Sequence, residues 1–229
     1  MYVASKNSAI VLFSGGLDST TTLAIADKNS SDLIALTLNY SQKHHYEIEA
    51  SKKIIKKYKN VCHVIFDVDL AKIGGSALTD DSIKVPESET TKGIPITYVP
   101  ARNTIFLSIA AAYAEKNNIK DIYIGVNSID YSGYPDCREE FIKSFEETIN
   151  LGTKRGVEGK SIKIHTPLIH LKKSEIISEG IKLDVDYSLT LSCYEPSLSG
   201  EACGKCDSCH YRKEGFRDAN ISDPTIYKK

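Results

Sequence analysis

Short apolar runs alternate with longer amphipathic stretches along most of the chain. The runs have the length and residue types of buried strands, and the longer stretches have the spacing of helices. The strand-like segments are residues 9–13, 33–40, 62–69, 121–126 and 162–169, and the helix-like segments are residues 20–28, 46–58, 103–117, 138–151 and 172–183. Continuous apolar strands separated by helices are typical of parallel strands joined by helical crossovers. The pattern therefore predicts an α/β fold with a parallel sheet and helices on both faces.

One long stretch lacks this periodicity. Residues 74–95 are rich in turn-forming residues and show no apolar period. Such a composition is typical of a surface loop. We expect a mobile surface loop here that could close over a binding site.

Length and charge narrow the class of protein. The chain has 229 residues, enough for one substantial domain with an extension, and we expect these to be residues 1–185 and 186–229. The formal net charge of −1 offers no basic excess for nucleic acid or a membrane surface, which favours a small-molecule ligand. The chain shows neither an apolar stretch of about 18 residues nor the layout of a signal peptide. We therefore expect a cytoplasmic protein.

A glycine-rich turn, SGGLDS at residues 14–19, connects the first strand-like segment to a helix that we expect to open near Ser19 or Thr20. Two glycines allow a sharp turn and let a ligand approach the main chain. The N-terminus of the helix presents unpaired N–H groups and the positive end of its dipole, which suit phosphate. The turn has neither the lysine of a P-loop nor the G-x-G-x-x-G pattern of a dinucleotide site. It predicts an anion site of another kind.

Four cysteines near the end of the chain follow the pattern C-x9-C-x2-C-x2-C. They are Cys193, Cys203, Cys206 and Cys209. Such spacing in a reducing compartment favours structural zinc held in a closed tetrahedron of thiolates. An iron–sulfur cluster, a redox C-x-x-C pair and unligated thiols are the alternatives. His210 could replace one cysteine, although we expect it to be solvated.

A polar stretch, residues 125–141, begins where the fourth strand should end. Ligands of open α/β sheets bind outside the carboxyl ends of the strands, so we expect this stretch beside the glycine-rich turn. Its carboxylate, aromatic and guanidinium groups suit a guanine-like base and a carboxylate, and an ordinary surface turn is the alternative. The substrate-binding candidates are Asn127, Asp130, Tyr131, Tyr134, Asp136 and Arg138. Arg102 and Asn103 open the third helix-like segment, and Arg102 is a candidate to face the nucleotide.

The glycine-rich turn resembles the pyrophosphate-binding loop of the ATP-pyrophosphatase group, whose members cleave ATP between the α- and β-phosphates to adenylate an oxygen of the substrate. Four segments resemble, in matching order, the motifs of the 7-cyano-7-deazaguanine synthase family. They are FSGGLDSTTTL, VPARNTIFLSIAAAYAE, GVNSIDYSGYPDCREEF and SCYEPSLSGEACGKCDSCHYRKEGF. The resemblance covers almost the whole chain and implies an adenine nucleotide alpha hydrolase-like, Rossmann-like fold with a small zinc-binding extension.

The same resemblance implies an activity. The family uses ATP and ammonia to convert 7-carboxy-7-deazaguanine to the nitrile on the route to queuosine, carries zinc on four cysteines, and is commonly a homodimer. Carried over, the ATP-binding residues are Phe13, Ser14, Gly15, Gly16, Leu17, Asp18, Ser19, Thr20, Thr21, Thr22 and Leu23. We expect Ser14, Asp18, Ser19 and Arg102 to take part in catalysis, with Mg²⁺ neutralising phosphate charge.

Two other functions remain open at this point. An ATP-dependent tRNA thiolation enzyme would need a catalytic thiol and a basic RNA-binding surface, and the near-neutral charge counts against it. We expect Cys137 to shape the substrate pocket and not to carry sulfur. A zinc-containing module that binds ATP without cleaving it is the second alternative, and an assay of AMP release separates it from an enzyme.

Overall fold

The computed structural model describes residues 7–43, 45–88, 93–129 and 133–229. Five strands form one sheet in the order β3-β2-β1-β4-β5, and every paired neighbour is parallel. The strands are β1 Ser8–Leu12, β2 Asp32–Asn39, β3 Val61–Asp67, β4 Asp121–Ile124 and β5 Lys163–His165. In the centre of the sheet, Ile10 lies between Ile34 and Ile122 on the two neighbouring strands. The predicted parallel sheet is confirmed.

Helices cover both faces of the sheet. They are α1 Leu17–Asn29, α2 Tyr46–Ile55, α3 Arg102–Asn117, α4 Glu139–Gly152, α5 Lys154–Val157, α6 Lys173–Lys182 and α7 Asp207–Asp218. Side chains alternate between the faces of a strand, so Ile10 packs in one cluster with Leu107 of α3. Its neighbour Val11 packs in another cluster with Leu23 of α1 and Ile54 of α2. Both faces of β1 are therefore buried, as the continuous apolar run predicts.

Two element boundaries differ from the prediction. Helix α1 begins at Leu17 and not near Ser19, because the Thr20 N–H already donates to the carbonyl of Gly16 at 3.0 Å. The three threonines that follow lie inside the helix, and each hydroxyl donates to the carbonyl four residues earlier. Strand β5 spans three residues and ends two residues before Pro167, which has no N–H to continue a ladder.

The predicted loop at residues 74–95 has no helix or strand among its described residues, 74–88 and 93–95. Its placement on the surface is wrong for the start of the segment, since Ser76, Ala77, Leu78 and Thr79 are buried. Leu78 packs with Tyr40 and Val99. A single buried leucine in a polar stretch leaves no periodic signal, which is why the composition indicated solvent exposure. Residues 89–92 lie outside the described residues.

The last 40 residues pack against the main body of the fold. Phe216 of α7 shares a cluster with Leu17 of α1 and with Ile176 and Ile177 of α6. The guanidinium of Arg212 is buried and donates to the carbonyl of Tyr187 and to Thr190. The segment thus shares a core with the preceding residues, and the domain boundary at residue 186 stays a prediction. No helix within the described residues combines the length and apolar character needed to cross a membrane.

Candidate active site

Hydrogen bonds to serine hydroxyls orient the backbone N–H groups of the glycine-rich turn. The N–H groups of Ser14 and Gly15 both donate to Ser19 Oγ at 3.2 Å, and that of Gly16 donates to Ser14 Oγ at 3.2 Å. The Leu17 N–H, at the first position of α1, donates to Ser192 Oγ at 3.0 Å. Three serine hydroxyls therefore satisfy the four N–H groups. A hydroxyl that accepts an N–H bond can still donate its own proton. The Ser19 hydroxyl donates to the carbonyl of Gly16 at 3.1 Å, so Ser14 and Ser192 are the serines that can face phosphate oxygens.

Helix α2 packs directly on this turn because residue 15 is glycine. Gly15 has a φ of +89°, and a Cβ atom there would lie 2.7 Å from the carbonyl oxygen of Glu47 and 2.7 Å from the nitrogen of Ser51. The N-terminal half of α2 is thereby held against the glycine-rich turn. This contact brings Glu47 to the site, although the residue is 28 positions or more from any residue of the turn.

Asp18, in the first turn of α1, forms a shielded ion pair with Lys173 at the start of α6. The Lys173 ammonium donates to the two carboxylate oxygens at 2.8 and 2.9 Å. The two side chains are 17% and 8% exposed, respectively. The lysine stem fits because residue 215 is glycine, where a Cβ atom would lie 2.3 Å from Lys173 Cγ. A cation therefore stands beside the turn even though the turn itself lacks a P-loop lysine.

A cavity of about 210 Å³ opens at the carboxyl ends of β1, β2 and β4. The predicted ATP-loop and catalytic residues that line it are Phe13, Ser14, Gly16, Leu17, Asp18, Ser19 and Arg102. Gly15 and residues 20–23 do not line it. Thr21, Thr22 and Leu23 have no exposed surface and belong to the interior side of α1. The structure thus brings together the front of the predicted loop, while the predicted role of residues 20–23 has no support from their position.

The predicted substrate loop reaches this cavity through Asn127 and Tyr134, together with Cys137. The Asn127 amide donates to the carbonyls of Leu168 and Leu171 and accepts from the Ile129 N–H. Asn127 therefore fastens the loop to the segment after β5. Asp130 and Tyr131 lie outside the described residues, and their roles stay predictions.

Two other candidates of this loop lie away from the cavity wall. Asp136 is buried, and its carboxylate accepts the N–H of Asn103 at 3.0 Å, which satisfies one of the free donors at the start of α3. Arg138 is exposed, and its Nε donates to the carbonyl of Pro135 at 3.1 Å. Neither side chain is among those that line the cavity. Asp136 instead orients the first turn of α3, which carries Arg102.

Arg102 is at the centre of the electrostatic interactions among the residues that line the cavity. Burial raises the pKa of Glu47 to about 7, although the nearby Arg102 guanidinium works in the opposite direction. Burial and the charge of Glu47 raise the pKa of Tyr40 to about 12. Burial alone would lower the pKa of Arg102, but Tyr40 and Cys137 beside it raise that pKa above its usual value. The wall therefore combines a permanent cation with an acid that titrates near neutrality.

The four predicted metal ligands form one cluster. Their sulfur atoms lie within 4.8 Å of one another, and Sγ of Cys203 and Cys209 are 3.9 Å apart. A zinc tetrathiolate with Zn–S bonds of about 2.3 Å has sulfur–sulfur edges of about 3.8 Å. The N–H groups of Cys203 and Glu195 donate to Cys193 Sγ at 3.1 and 3.3 Å, which favours the thiolate. The donor set fits a tetrahedral metal ion. His210 is exposed and pairs with Glu214, as expected for a solvated side chain.

The segment that leads into the cysteine cluster also forms part of the cavity. The Leu191 N–H donates to the carbonyl of Gly15 at 3.2 Å, and the next residue is the Ser192 that caps Leu17. Ser192, Tyr194 and Ser208 line the cavity. The cysteine-rich segment thus contributes side chains to the site as well as thiols to the cluster.

Sequence reasoning missed Ser192, Lys173, Glu47 and Tyr40. Ser192 and Lys173 reach the turn through tertiary packing, and no local pattern marks them. Tyr40 and Glu47 follow β2, so the rule that directed attention to the end of β4 also applied to the end of β2. Applying it to each strand would have found them.

Comparisons with known proteins agree with this geometry. The sequence model of the family described as queuosine biosynthesis protein QueC matches residues 8–220. A 7-cyano-7-deazaguanine synthase of Cellvibrio japonicus is 54% identical over 223 residues, which are 97% of this chain and 99% of that protein. One of Coxiella burnetii is 55% identical over 219 residues, 96% of this chain and 97% of that protein.

A solved structure shares the fold at lower identity. The crystal structure of a 4-thiouridine synthetase–RNA complex with bound ATP matches with a TM-score of 0.53 and 17% identity, over 94% of this chain and 54% of that one. At this identity the likeness concerns the fold alone. The family match and the full-length relatives decide the assignment: this chain belongs to the QueC family of queuosine biosynthesis proteins.

Proposed function

We propose that the protein is an ATP-dependent ligase that converts 7-carboxy-7-deazaguanine and ammonia to 7-cyano-7-deazaguanine in queuosine biosynthesis. The family match and the names of the full-length relatives support this activity. One observation carries the mechanism: a single cavity is lined both by the glycine-rich turn and by Tyr134 and Cys137 of the opposite loop. The phosphates of ATP and the carboxylate of the substrate can therefore meet in one place.

The chemistry needs two activations of the same carbon. A carboxylate is a poor acyl donor because hydroxide would have to leave, so its oxygen first attacks the α-phosphate and pyrophosphate departs. Ammonia then forms the C–N bond and AMP leaves, which produces the amide. The amide oxygen is adenylated in turn, and loss of AMP leaves the nitrile. The protein accelerates these steps by orienting the partners and by stabilising phosphate charge.

The turn suits cleavage of ATP to AMP and pyrophosphate. The hydroxyls of Ser14 and Ser192 line the cavity beside the turn and supply hydrogen-bond donors, and Lys173 balances the charge of Asp18. Mg²⁺ enters with ATP as its counter-ion. Arg102 on the opposite wall provides a cation for the substrate carboxylate or for the phosphate bonded to it.

Zinc is the metal that we propose for the cysteine cluster. Four mostly buried thiols at tetrahedral spacing match its preferred sulfur coordination, and a ring of four protein ligands leaves no open position for catalysis. The ion would be structural. It would hold residues 191–194 in the place from which Ser192 contacts the turn.

The contacts of Cys137 disfavour the thiolation alternative. Burial raises the pKa of Cys137 to about 12, and the nearby Arg102 does not offset this effect. The thiol is therefore neutral at physiological pH, whereas sulfur transfer requires a thiolate. Cys137 fits the pocket-shaping role predicted for it. A cytoplasmic homodimer remains a prediction from the resemblance, and light scattering of the purified protein tests the dimer.

Product analysis tests the proposed reaction. Incubation with ATP, Mg²⁺, ammonium and the deazaguanine acid should yield the nitrile with two AMP per molecule, measured by mass spectrometry. The synthetic amide should yield the nitrile with one AMP and no ammonium. Ser14→Ala should abolish both reactions, while Ser108→Ala on the exposed side of α3 should leave them unchanged. Release of ADP alone, or a nitrile formed with one ATP from the acid, would contradict this mechanism.

A further inference from the structure

We propose that Glu47 is the general base that accepts the protons released from nitrogen as the amide and the nitrile form. The inference rests on the proposed function, and it assigns a catalytic role to a residue that neither the sequence patterns nor the family match identifies.

The position of Glu47 suits this role. It lies in the first turn of α2, the turn that packs on Gly15, and its side chain lines the cavity between the phosphate turn and the opposite loop. Asp18 and Cys137 line the same cavity. A base placed there borders the region in which an adenylated carbon and its nitrogen must lie.

Among Asp18, Asp136 and Glu47, Glu47 is the carboxylate with the fewest hydrogen bonds. Both oxygens of Asp18 accept from Lys173, and Asp136 accepts from the start of α3. Within the part of the chain that the structure describes, no side-chain hydrogen bond engages the Glu47 carboxylate. Its strongest electrostatic neighbour is Arg102. The group is therefore able to take up and release a proton without breaking an existing bond.

The protonation equilibrium supports the geometry. With a pKa near 7, Glu47 is partly ionised at neutral pH. A general base works best when its pKa lies near the working pH, because it must both accept and release a proton. The charged and titratable groups that share the cavity wall are Asp18 from α1, Tyr40 and Lys43 from the segment after β2, Arg102 from α3, Tyr134 and Cys137 from the loop before α4, and Tyr194 from the segment that leads into the cysteine cluster. Arg102 favours the ionised form of Glu47, and burial favours the protonated form.

The proton balance explains why a base is needed. In the first half-reaction, ammonium loses one proton before its nitrogen attacks the adenylated carbon, and that nitrogen loses a second proton as the C–N bond forms and the C–O bond to AMP breaks. In the second, the amide oxygen attacks the α-phosphorus and pyrophosphate leaves. The adenylated amide then loses two N–H protons as AMP departs with the oxygen and the C≡N bond forms. Glu47 would accept these protons one at a time and pass them to water at the mouth of the cavity.

The two half-reactions should differ in their need for this base. High pH supplies free ammonia and can replace Glu47 in the first half-reaction. It cannot do so in the second, where the protons leave the nitrogen of a substrate that is already bound in the cavity. Glu47→Gln should therefore convert the synthetic amide to the nitrile about 100-fold more slowly or worse, since general bases contribute about 10²- to 10⁴-fold. It should also lose the rise of kcat with pH through about 7 that the ionisation of Glu47 gives the wild type.

The experiment measures three quantities for each variant. They are ATP affinity by calorimetry, pyrophosphate exchange with the acid, and kcat for the amide between pH 5.5 and about 9. Glu49→Gln is the matched control, because Glu49 lies on the same helix, is exposed and pairs with Lys52 at 2.8 Å. We expect Glu47→Gln to keep ATP affinity and pyrophosphate exchange within about threefold, and Glu49→Gln to resemble the wild type throughout. Glu47→Asp should show partial activity and keep a pH-dependent kcat.

The role is overturned if Glu47→Gln converts the amide within about fivefold of the wild type or keeps its pH profile. Parallel loss of ATP affinity and exchange in both Glu47→Gln and Glu47→Asp would also overturn it, because the residue would then be structural. Failure of the proposed function would give a different result. In that case the wild-type enzyme itself makes no nitrile from the amide.

Discussion

Replacement of Gly15 by alanine tests whether α2 is truly held against the phosphate turn. The added Cβ would lie 2.7 Å from two backbone atoms of α2, where an ordinary van der Waals contact begins near 3.4 Å. Either the turn or the helix must therefore move by about 0.7 Å. Both partners are backbone atoms, so no side-chain rotation can relieve the contact.

Two terms set the expected magnitude. The φ of +89° is unfavourable for alanine by about 1–2 kcal/mol. Overpacking against a fixed backbone costs about 1–3 kcal/mol more. The free energy of unfolding should fall by about 2–5 kcal/mol in total. Because the shift also displaces the turn relative to Glu47, turnover should fall by about 100-fold, as a misplacement near 1 Å often causes.

Gly74→Ala is the matched control. Gly74 also has a positive φ, +71°, but a Cβ atom there meets nothing within 4 Å. It should therefore lose only the conformational term, so that Gly15→Ala melts about 2–12 °C below it in thermal unfolding. Urea titration gives the same comparison as free energies. Equal losses in the two variants, or near-normal nitrile formation by Gly15→Ala, would refute the packing argument.

Three further variants probe separate contacts. Cys203→Ala should lose bound zinc and melt at lower temperature, since metal binding stabilises the fold; metal analysis that finds iron and labile sulfide in the wild type would contradict the zinc assignment. Lys173→Met should lower the free energy of unfolding by about 3 kcal/mol, because it leaves the shielded carboxylate of Asp18 without its partner, whereas the exposed Lys182→Met should change it little. Asp136→Ala should lower the free energy of unfolding by about 0.5–2 kcal/mol and slow both half-reactions by displacing Arg102. Asp136→Asn keeps an oxygen acceptor and should recover both properties. Unchanged kinetics in the alanine variant would show that Asp136 does not position Arg102.

The local patterns of the sequence were sufficient for the fold class and for locating the glycine-rich turn and the cysteine cluster. Buried parallel strands need apolar side chains on both faces, and β1, β2 and β4 were found from their apolar runs for this reason. Strand β3 was also found from its apolar run, although it lies at the edge of the sheet and is only partly buried. The glycine-rich turn and the cysteine spacing are equally local, because a turn or a short chelating loop is built from consecutive residues. Strand β5 was predicted too long because buried Leu168 and Ile169 continue the apolar run beyond its end.

The composition of the reaction cavity was decided by tertiary structure. Ser192 contacts Leu17 across 175 positions, and Lys173 contacts Asp18 across 155, so neither contact leaves a trace in local spacing. Asp136 was predicted to bind the substrate because it is a carboxylate, but in the structure it accepts a hydrogen bond at the start of α3.

The sequence by itself determined which chemical groups are available, because periodicity, turn chemistry and thiol spacing depend on neighbours along the chain. The ionisation of Glu47 was decided only by the fold. Its pKa depends on burial in the cavity wall and on the distance to Arg102, and both arise when β2, α2 and α3 meet at one edge of the sheet.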